Sequence, residues 1–298
     1  MNDFDKAARF AAKIDPAGFL AWLVPELVDS FAFRHWLDTR TLPFHGAEDR
    51  TCDTVARFDP IGRSEEPLAL VTEFQTEPDA NMLDRLLEYA ARARCELRWG
   101  RDKFRVAVAL VNLTGKPQPD QLDMRLPGAE RVGNWMGVRQ RTLQDEDATD
   151  TLAAIAAGRL ARCLLPWIPL MRGGGDPAIM AQWRRLAKKE RNRRRRADYV
   201  GLTLIFAELT QHKAEWENVL EGLNVKRSET VMGWEAEGEL KAMRKTLLRA
   251  LELRFQEHVP TTLVRTIKKM ADQDQLSRWF DAAVTADSLE DFRAAIEA

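Results

Sequence analysis

The chain has 298 residues, is 45% hydrophobic and 31% charged, and carries 45 Lys and Arg against 46 Asp and Glu for a net charge of −1. Such a length can bury a full core and suggests two domains, the composition excludes a disordered chain, and no apolar run approaches the roughly 20 residues needed to span a bilayer. The N-terminal MNDFDKAARFAAK has no hydrophobic signal core. Cys52, Cys95 and Cys163 stand far apart without a C-x-x-C, and none of the four His has a metal-ligand or dyad spacing. A cytoplasmic protein without a zinc or disulfide framework is expected.

Residues 17–33 (AGFLAWLVPELVDSFAF) predict a first helical region, broken near Pro25. Two segments rich in Val, Thr, Leu and Phe follow, at 50–58 (RTCDTVARF) and 68–75 (LALVTEFQ), and read as strands. The DPIGRSEEP between them is a turn of several residues. Alternation puts Ala69, Val71, Glu73 and Gln75 on one face and Leu70, Thr72 and Phe74 on the other. Antiparallel pairing about Gly62–Ser64 places Asp53 opposite Glu73. Facing carboxylates repel unless a cation lies between them, and hard oxygen ligands at that spacing suit Mg²⁺ or Mn²⁺. The competing reading is the solvated face of a half-exposed sheet.

A helix at 80–98 comes next, then a strand at 104–112 (FRVAVALVN), apolar on both faces as a central strand should be. Residues 113–147 read as further strands and loops punctuated by Gly115, Pro117, Pro119, Pro127 and Gly128. A helix at 148–164 follows, and Pro166, Pro169 and the GGGDP of 173–177 read as a boundary. The expected division is an α/β domain over 1–170 and an α-helical domain over 177–298.

Everything beyond 177 is helical in pattern. Its start is basic: Arg184, Arg185, Lys188, Lys189, Arg191, Arg193, Arg194, Arg195 and Arg196, with Glu190 the one acid before Asp198. Against a polyanion such a run gives sequence-independent affinity by counterion release; the alternative is a solvated helix whose charges pair with acid-rich helices beyond it. An amphipathic helix then carries Leu204, Phe206, Leu209, Trp216 and Leu220. A long helix at about 228–257 and two or three short ones complete the chain, with Asp287 or Ser288 capping the last.

The string VTEFQTEPDANMLDRLLEY resembles the core of the Rpn-type (recombination-promoting, transposase-like) branch of the PD-(D/E)XK nuclease superfamily. In that branch a strand ending in E-x-Q leads through a polar turn to a Met-x-x-Arg helix with Tyr four residues on, and an Asp lies on the preceding strand. The matching positions are Asp53, Glu73, Gln75, Met82, Arg85 and Tyr89. The C-terminal WEAEGELKAMRKTLLRALELRF and WFDAAVTADSLEDF also resemble the helical tails of bacterial Rpn-like proteins, many of which have Gly where this chain has Gln256. The resemblance is strongest over 40–112 and 235–295.

It implies an α/β PD-(D/E)XK restriction-endonuclease-like core with a C-terminal α-helical region, in the bacterial cytoplasm. Asp53 and Glu73 would ligate Mg²⁺ (or Mn²⁺) with the Phe74 backbone carbonyl as third ligand, and Gln75 would position the attacking water. Arg85 and Tyr89, at i and i+4 on one helix face, would contact phosphate or the metal shell, or else buttress the carboxylates. Glu26 is a candidate outlying acid, with a solvent-facing or capping role as the alternative. The wider superfamily has Lys at the Gln75 position; Gln orients water but supplies no charge. The expected activity is Mg²⁺-dependent hydrolysis of DNA phosphodiester bonds in recombination or phage defence. The alternative is a catalytically degenerate fold serving as a DNA-binding or protein-interaction module, a homodimer through the C-terminal helices.

Overall fold

Strand propensity and alternation locate the sheet. In a computed structural model, which describes residues 3–39, 52–62, 66–98, 103–221, 228–255 and 258–297, the strands are β1 (Phe31–Trp36), β2 (Thr54–Pro60), β3 (Leu68–Gln75), β4 (Arg105–Asn112), β5 (Gln121–Leu126), β6 (Ala129–Gly137) and β7 (Arg139–Thr142). The helices are α1 (Asp3–Ile14), α2 (Pro16–Leu23), α3 (Met82–Arg98), α4 (Ala148–Ala156), α5 (Pro177–Lys188), α6 (Arg193–Leu209), α7 (Lys213–Glu221), α8 (Glu229–Phe255), α9 (Thr261–Lys269), α10 (Gln273–Thr285) and α11 (Leu289–Glu297). Arg50, Thr51, Ser64 and Gln256, which figure in the expectations above, lie outside the described residues.

Among the described residues the fold is mixed α/β: a five-stranded sheet in the order β1-β2-β3-β4-β7, a separate β5–β6 ribbon, and α-helices. β1, β2 and β3 pair antiparallel, and β3, β4 and β7 run parallel. The β2–β3 register sets Thr54 against Thr72 and Phe58 against Leu68, the register expected from the turn, so one residue further Asp53 stands opposite Glu73. Helix α3 makes the crossover that a parallel β3–β4 pair requires.

Both sheet faces are covered, which is why every residue of β3 is buried. On one face Ala69, Val71, Val108 and Leu110 pack with Met82, Leu86, Tyr89 and Ala93 of α3. On the other, Phe74 stacks on Trp167 at 5.9 Å between ring centroids, and Trp167 stacks in turn on Phe19 of α2 (5.7 Å) and Phe206 of α6 (5.0 Å). Offset aromatic stacks at these separations add to the burial of large rings.

Several boundaries differ from the sequence reading. Phe31–Trp36 is an edge strand rather than helix, since the helical region stops in a short 3₁₀ turn at Pro25–Leu27. Helix α4 ends at Ala156 because Gly158 takes φ 75°. The single helix expected to carry Leu204 to Leu220 breaks at Gln211, which takes φ 62°, and becomes α6 and α7. Most consequentially, Arg162–Leu170 is a 3₁₀ helix holding both Pro166 and Pro169, and Cys163 to Leu170 are all buried. Trp183 of α5 donates its Nε1 hydrogen to the Leu165 carbonyl (2.8 Å) and meets Trp216 of α7 edge-on.

The segment read as a boundary is therefore a core element. The chain divides instead into compact units Met1–Ser228 and Glu229–Ala298, so α5, α6 and α7 belong with the sheet rather than with a helical domain starting at 177. In the second unit Leu247 and Leu251 of α8 pack with Leu263, Ile267, Leu276, Trp279 and Phe292 of α9, α10 and α11. The Ser288 hydroxyl accepts the Asp291 N–H at the start of α11, one of the two caps expected there. Among the described residues no helix is long and apolar enough to cross a membrane.

Candidate active site

The parallel strands β3 and β4 end side by side, Gln75 next to Asn112, and β7 ends beside them with Thr142 next to Asn112. The carboxyl ends of parallel strands are where open α/β sheets bind ligands. Here they carry an uncommon load of buried polar side chains: Glu73 is 2% exposed, Gln75 4% and Asn112 0%.

Asp53 and Glu73 interlock across the end of the β2–β3 pair. The Asp53 backbone N–H donates to Glu73 Oε1 (2.7 Å), and the Phe74 N–H donates to Asp53 Oδ2 (2.9 Å). Each carboxylate turns its other oxygen to a guanidinium: Glu73 Oε2 lies 3.3 Å from Arg85 Nη2, and Asp53 Oδ1 lies 3.4 Å from Arg9 Nε. Arg85 is held in place by Asp79 Oδ2 at 2.9 Å and donates to the Tyr89 hydroxyl. Charge-assisted bonds of this kind are the strong ones.

Burial nevertheless dominates the electrostatics. It pushes the Asp53 carboxyl above the ordinary aspartate range despite Arg9 and the Phe74 N–H. It raises Glu73 further, with the neighbouring Asp53 charge adding to the effect. A cation held between the two carboxylates would offset that cost of burying charge.

The donor set can be tested for such a cation. Within a strand a residue's N–H and C=O leave the same side, so the Phe74 carbonyl points, like its N–H, toward Asp53. Two carboxylates and one carbonyl are all hard oxygen donors and fit Mg²⁺ or Mn²⁺ in kind. Among the described residues no group of three or more His, Cys, Asp or Glu is placed to hold a metal, so a cation here would need that backbone oxygen as its third protein donor.

The residues singled out by sequence thus fall into two groups. Asp53, Glu73, Phe74, Gln75, Arg85 and Tyr89 come together, with Arg85 and Tyr89 in the buttressing arrangement: Arg85 on Glu73, Tyr89 packed against the sheet. Glu26 lies apart and pairs with Arg139. The basic run is not one helix. It closes α5 and opens α6, separated by Asn192, which caps α6 by accepting the Arg195 N–H (3.1 Å).

Glu190 is buried between the two helices and pairs with Arg162 (3.6 Å). Arg185, Lys188, Lys189, Arg191, Arg193 and Arg194 are exposed, whereas Arg184, Arg195 and Arg196 are half-buried. Four arginines opening a helix with no acid in its first turn oppose the helix dipole. Sequence reasoning missed Arg9, Asp79 and Asn112. Asp79 was in principle legible, because an Asp just ahead of a helix bearing Arg85 is within reach of it; Arg9 and Asn112 join the site only through the fold.

No family model, curated protein or solved structure matches the chain.

Proposed function

We propose that the chain is a metal-dependent DNA phosphodiesterase with a PD-(D/E)XK-like core of the Rpn type. The observation that carries this reading is the interlocked Asp53–Glu73 pair at the end of β3, with Gln75 beside it and both polar atoms of the Gln75 amide buried without a partner. The order α2, β1, β2, β3, α3, β4 supports it as well, being the helix, strands, helix, strand succession that the resemblance implies.

In this mechanism Asp53, Glu73 and the Phe74 carbonyl would hold Mg²⁺ or Mn²⁺. When bound, the ion supplies a Lewis acid at the phosphate and lowers the pKa of water. Gln75 orients the attacking water through its amide but adds no charge. Arg85 and Arg9, which balance the carboxylates in the free chain, supply positive charge near the scissile phosphate. The exposed arginines and lysines at the α5–α6 junction attract the DNA backbone without reading its sequence. The second unit exposes Met232, Leu253 and Val284, apolar surface that a homodimer would cover.

A second reading is favoured by one specific feature. Because each carboxylate already faces a guanidinium, the site is charge-balanced without a metal, and with Gln75 in place of Lys the fold could serve as a DNA-binding or interaction module alone. Cleavage of supercoiled plasmid by the full chain with Mg²⁺ or Mn²⁺, beside an Asp53→Ala/Glu73→Ala double variant, separates the two. The nuclease reading expects nicking or linearisation that disappears with EDTA and in the variant. Retardation of DNA at low salt without cleavage under either metal supports the module instead.

A further inference from the structure

The amide groups behind the carboxylates fix one another's orientation, and the chain of assignments runs inward from backbone. Gln140 of β7 donates both Nε2 hydrogens to carbonyls, those of Gln118 (2.7 Å) and Pro119 (2.9 Å). Its Oε1 is therefore the acceptor, and it receives the Gln118 N–H (3.0 Å) and the Asn112 Nδ2 (3.1 Å). Asn112 Nδ2 also donates to Thr142 Oγ1 (2.9 Å). The Asn112 amide nitrogen is thus committed to side chains of β7, and its Oδ1 is the atom left over.

That oxygen is buried and has no partner, and neither does the Oε1 or Nε2 of Gln75. Gln75 is the register partner of Asn112 in the parallel β3–β4 pair, so their side chains leave the same sheet face. An acceptor on Asn112 calls for a donor from Gln75. With Nε2 turned to β4, the Gln75 Oε1 is left on the side of Glu73, its neighbour two residues back on the same face.

We propose that Asn112 is the positioning residue for Gln75: one buried water accepts from Gln75 Nε2 and donates to Asn112 Oδ1, which leaves Gln75 Oε1 as the atom that orients the attacking water. This rests on the nuclease reading above. A water in such a place has the polar partners that buried waters need, and it satisfies two of the three orphaned amide atoms. The third, Gln75 Oε1, is the one left free for the reaction.

The test is a double-mutant square on the full chain: wild type, Gln75→Met, Asn112→Leu and both together, in single-turnover plasmid cleavage with Mn²⁺, with thermal unfolding on the same four proteins. Asn112→Leu is expected to lower the cleavage rate on the order of 10–100-fold by letting Gln75 drift, with DNA KM and Mn²⁺ affinity unchanged. In the Gln75→Met background that loss vanishes, and the two Tm effects are likewise non-additive, since one water serves both residues. If Asn112→Leu does not fold, Asn112→Thr, smaller and suited to a strand, takes its place in the square.

Equal losses in both backgrounds, or losses that travel through KM or Mn²⁺ affinity, overturn the assignment and make Asn112 a purely structural residue. A wild type that does not cleave overturns the nuclease reading and this inference with it. A wild type that cleaves, with additive losses, overturns this inference alone.

Discussion

Trp167→Ala asks whether residues 162–228 belong to the sheet unit or begin a separate domain. Trp167 is fully buried and is sandwiched by Phe19, Phe74 and Phe206, which come from α2, β3 and α6. Truncating a fully buried Trp costs about 3–5 kcal/mol through lost transfer energy and the cavity left behind. For a unit the size of Met1–Ser228, each kcal/mol moves Tm by roughly 2–4 °C, so a fall of roughly 6–20 °C is expected. Circular dichroism melts beside Trp135→Ala make the comparison, because Trp135 is 55% exposed on the β5–β6 ribbon and its loss should stay within about 0.5 kcal/mol. If Trp167→Ala melts within a degree or two of Trp135→Ala, the segment is a linker after all and the packing argument fails. Because the Phe74 ring rests on Trp167, loss of the stack should also loosen the strand end that carries Glu73.

Further outcomes follow from the same geometry. Asp53 and Glu73 have folded pKa values raised by burial, so they favour the fold below their unfolded values, and that contribution is lost as pH rises through the folded ones. Tm of the metal-free chain should therefore fall from acid toward neutral pH more steeply than that of Glu73→Gln, and a parallel slope would refute the coupling. A bound Mn²⁺ would compete with protons for those carboxylates, so its stabilising effect should grow with pH. In salt titrations of DNA binding, replacing Arg191, Arg193 and Arg194 by Ala should flatten the log K against log salt slope by about 0.9 for each phosphate that is no longer neutralised; an unchanged slope would place DNA elsewhere. Cys52 and Cys163 are buried with thiols pushed up to about 12, first of all by burial, whereas Cys95 is exposed. A thiol reagent should therefore label one cysteine in the native chain and three after denaturation, and rapid labelling of all three would contradict the packing around β2 and the 3₁₀ helix.

Strand β3 was legible because LALVTEFQ is strand-forming and bounded by turn residues on both sides. Its register with β2 was a choice among several, since a turn of that length allows shifts, and the structure has the one that sets Thr54 against Thr72. Helix α3 and strand β4 were legible for the same local reasons. The first strand was not: FAFRHW follows an apolar helical run, and only pairing with β2 makes it a strand. Pro166 and Pro169 look like a linker in sequence, yet they suit a 3₁₀ helix and are buried there. Arg9 reaches Asp53 because α1 packs by a face of Ala7, Ala8, Ala11 and Ala12, all fully buried. That closeness is a tertiary fact with no signal at position 9. Asn112 reads as the polar end of an apolar strand until β3 is laid beside it.

Titration of the metal-free full chain with Mn²⁺, followed by electron paramagnetic resonance beside Asp53→Ala/Glu73→Ala, tests the metal site itself. The account predicts about one bound Mn²⁺ per chain, lost in the double variant and competed by Mg²⁺. Absence of binding by the wild type, or binding that survives loss of both carboxylates, would contradict it and leave Arg9 and Arg85 as the permanent partners of Asp53 and Glu73.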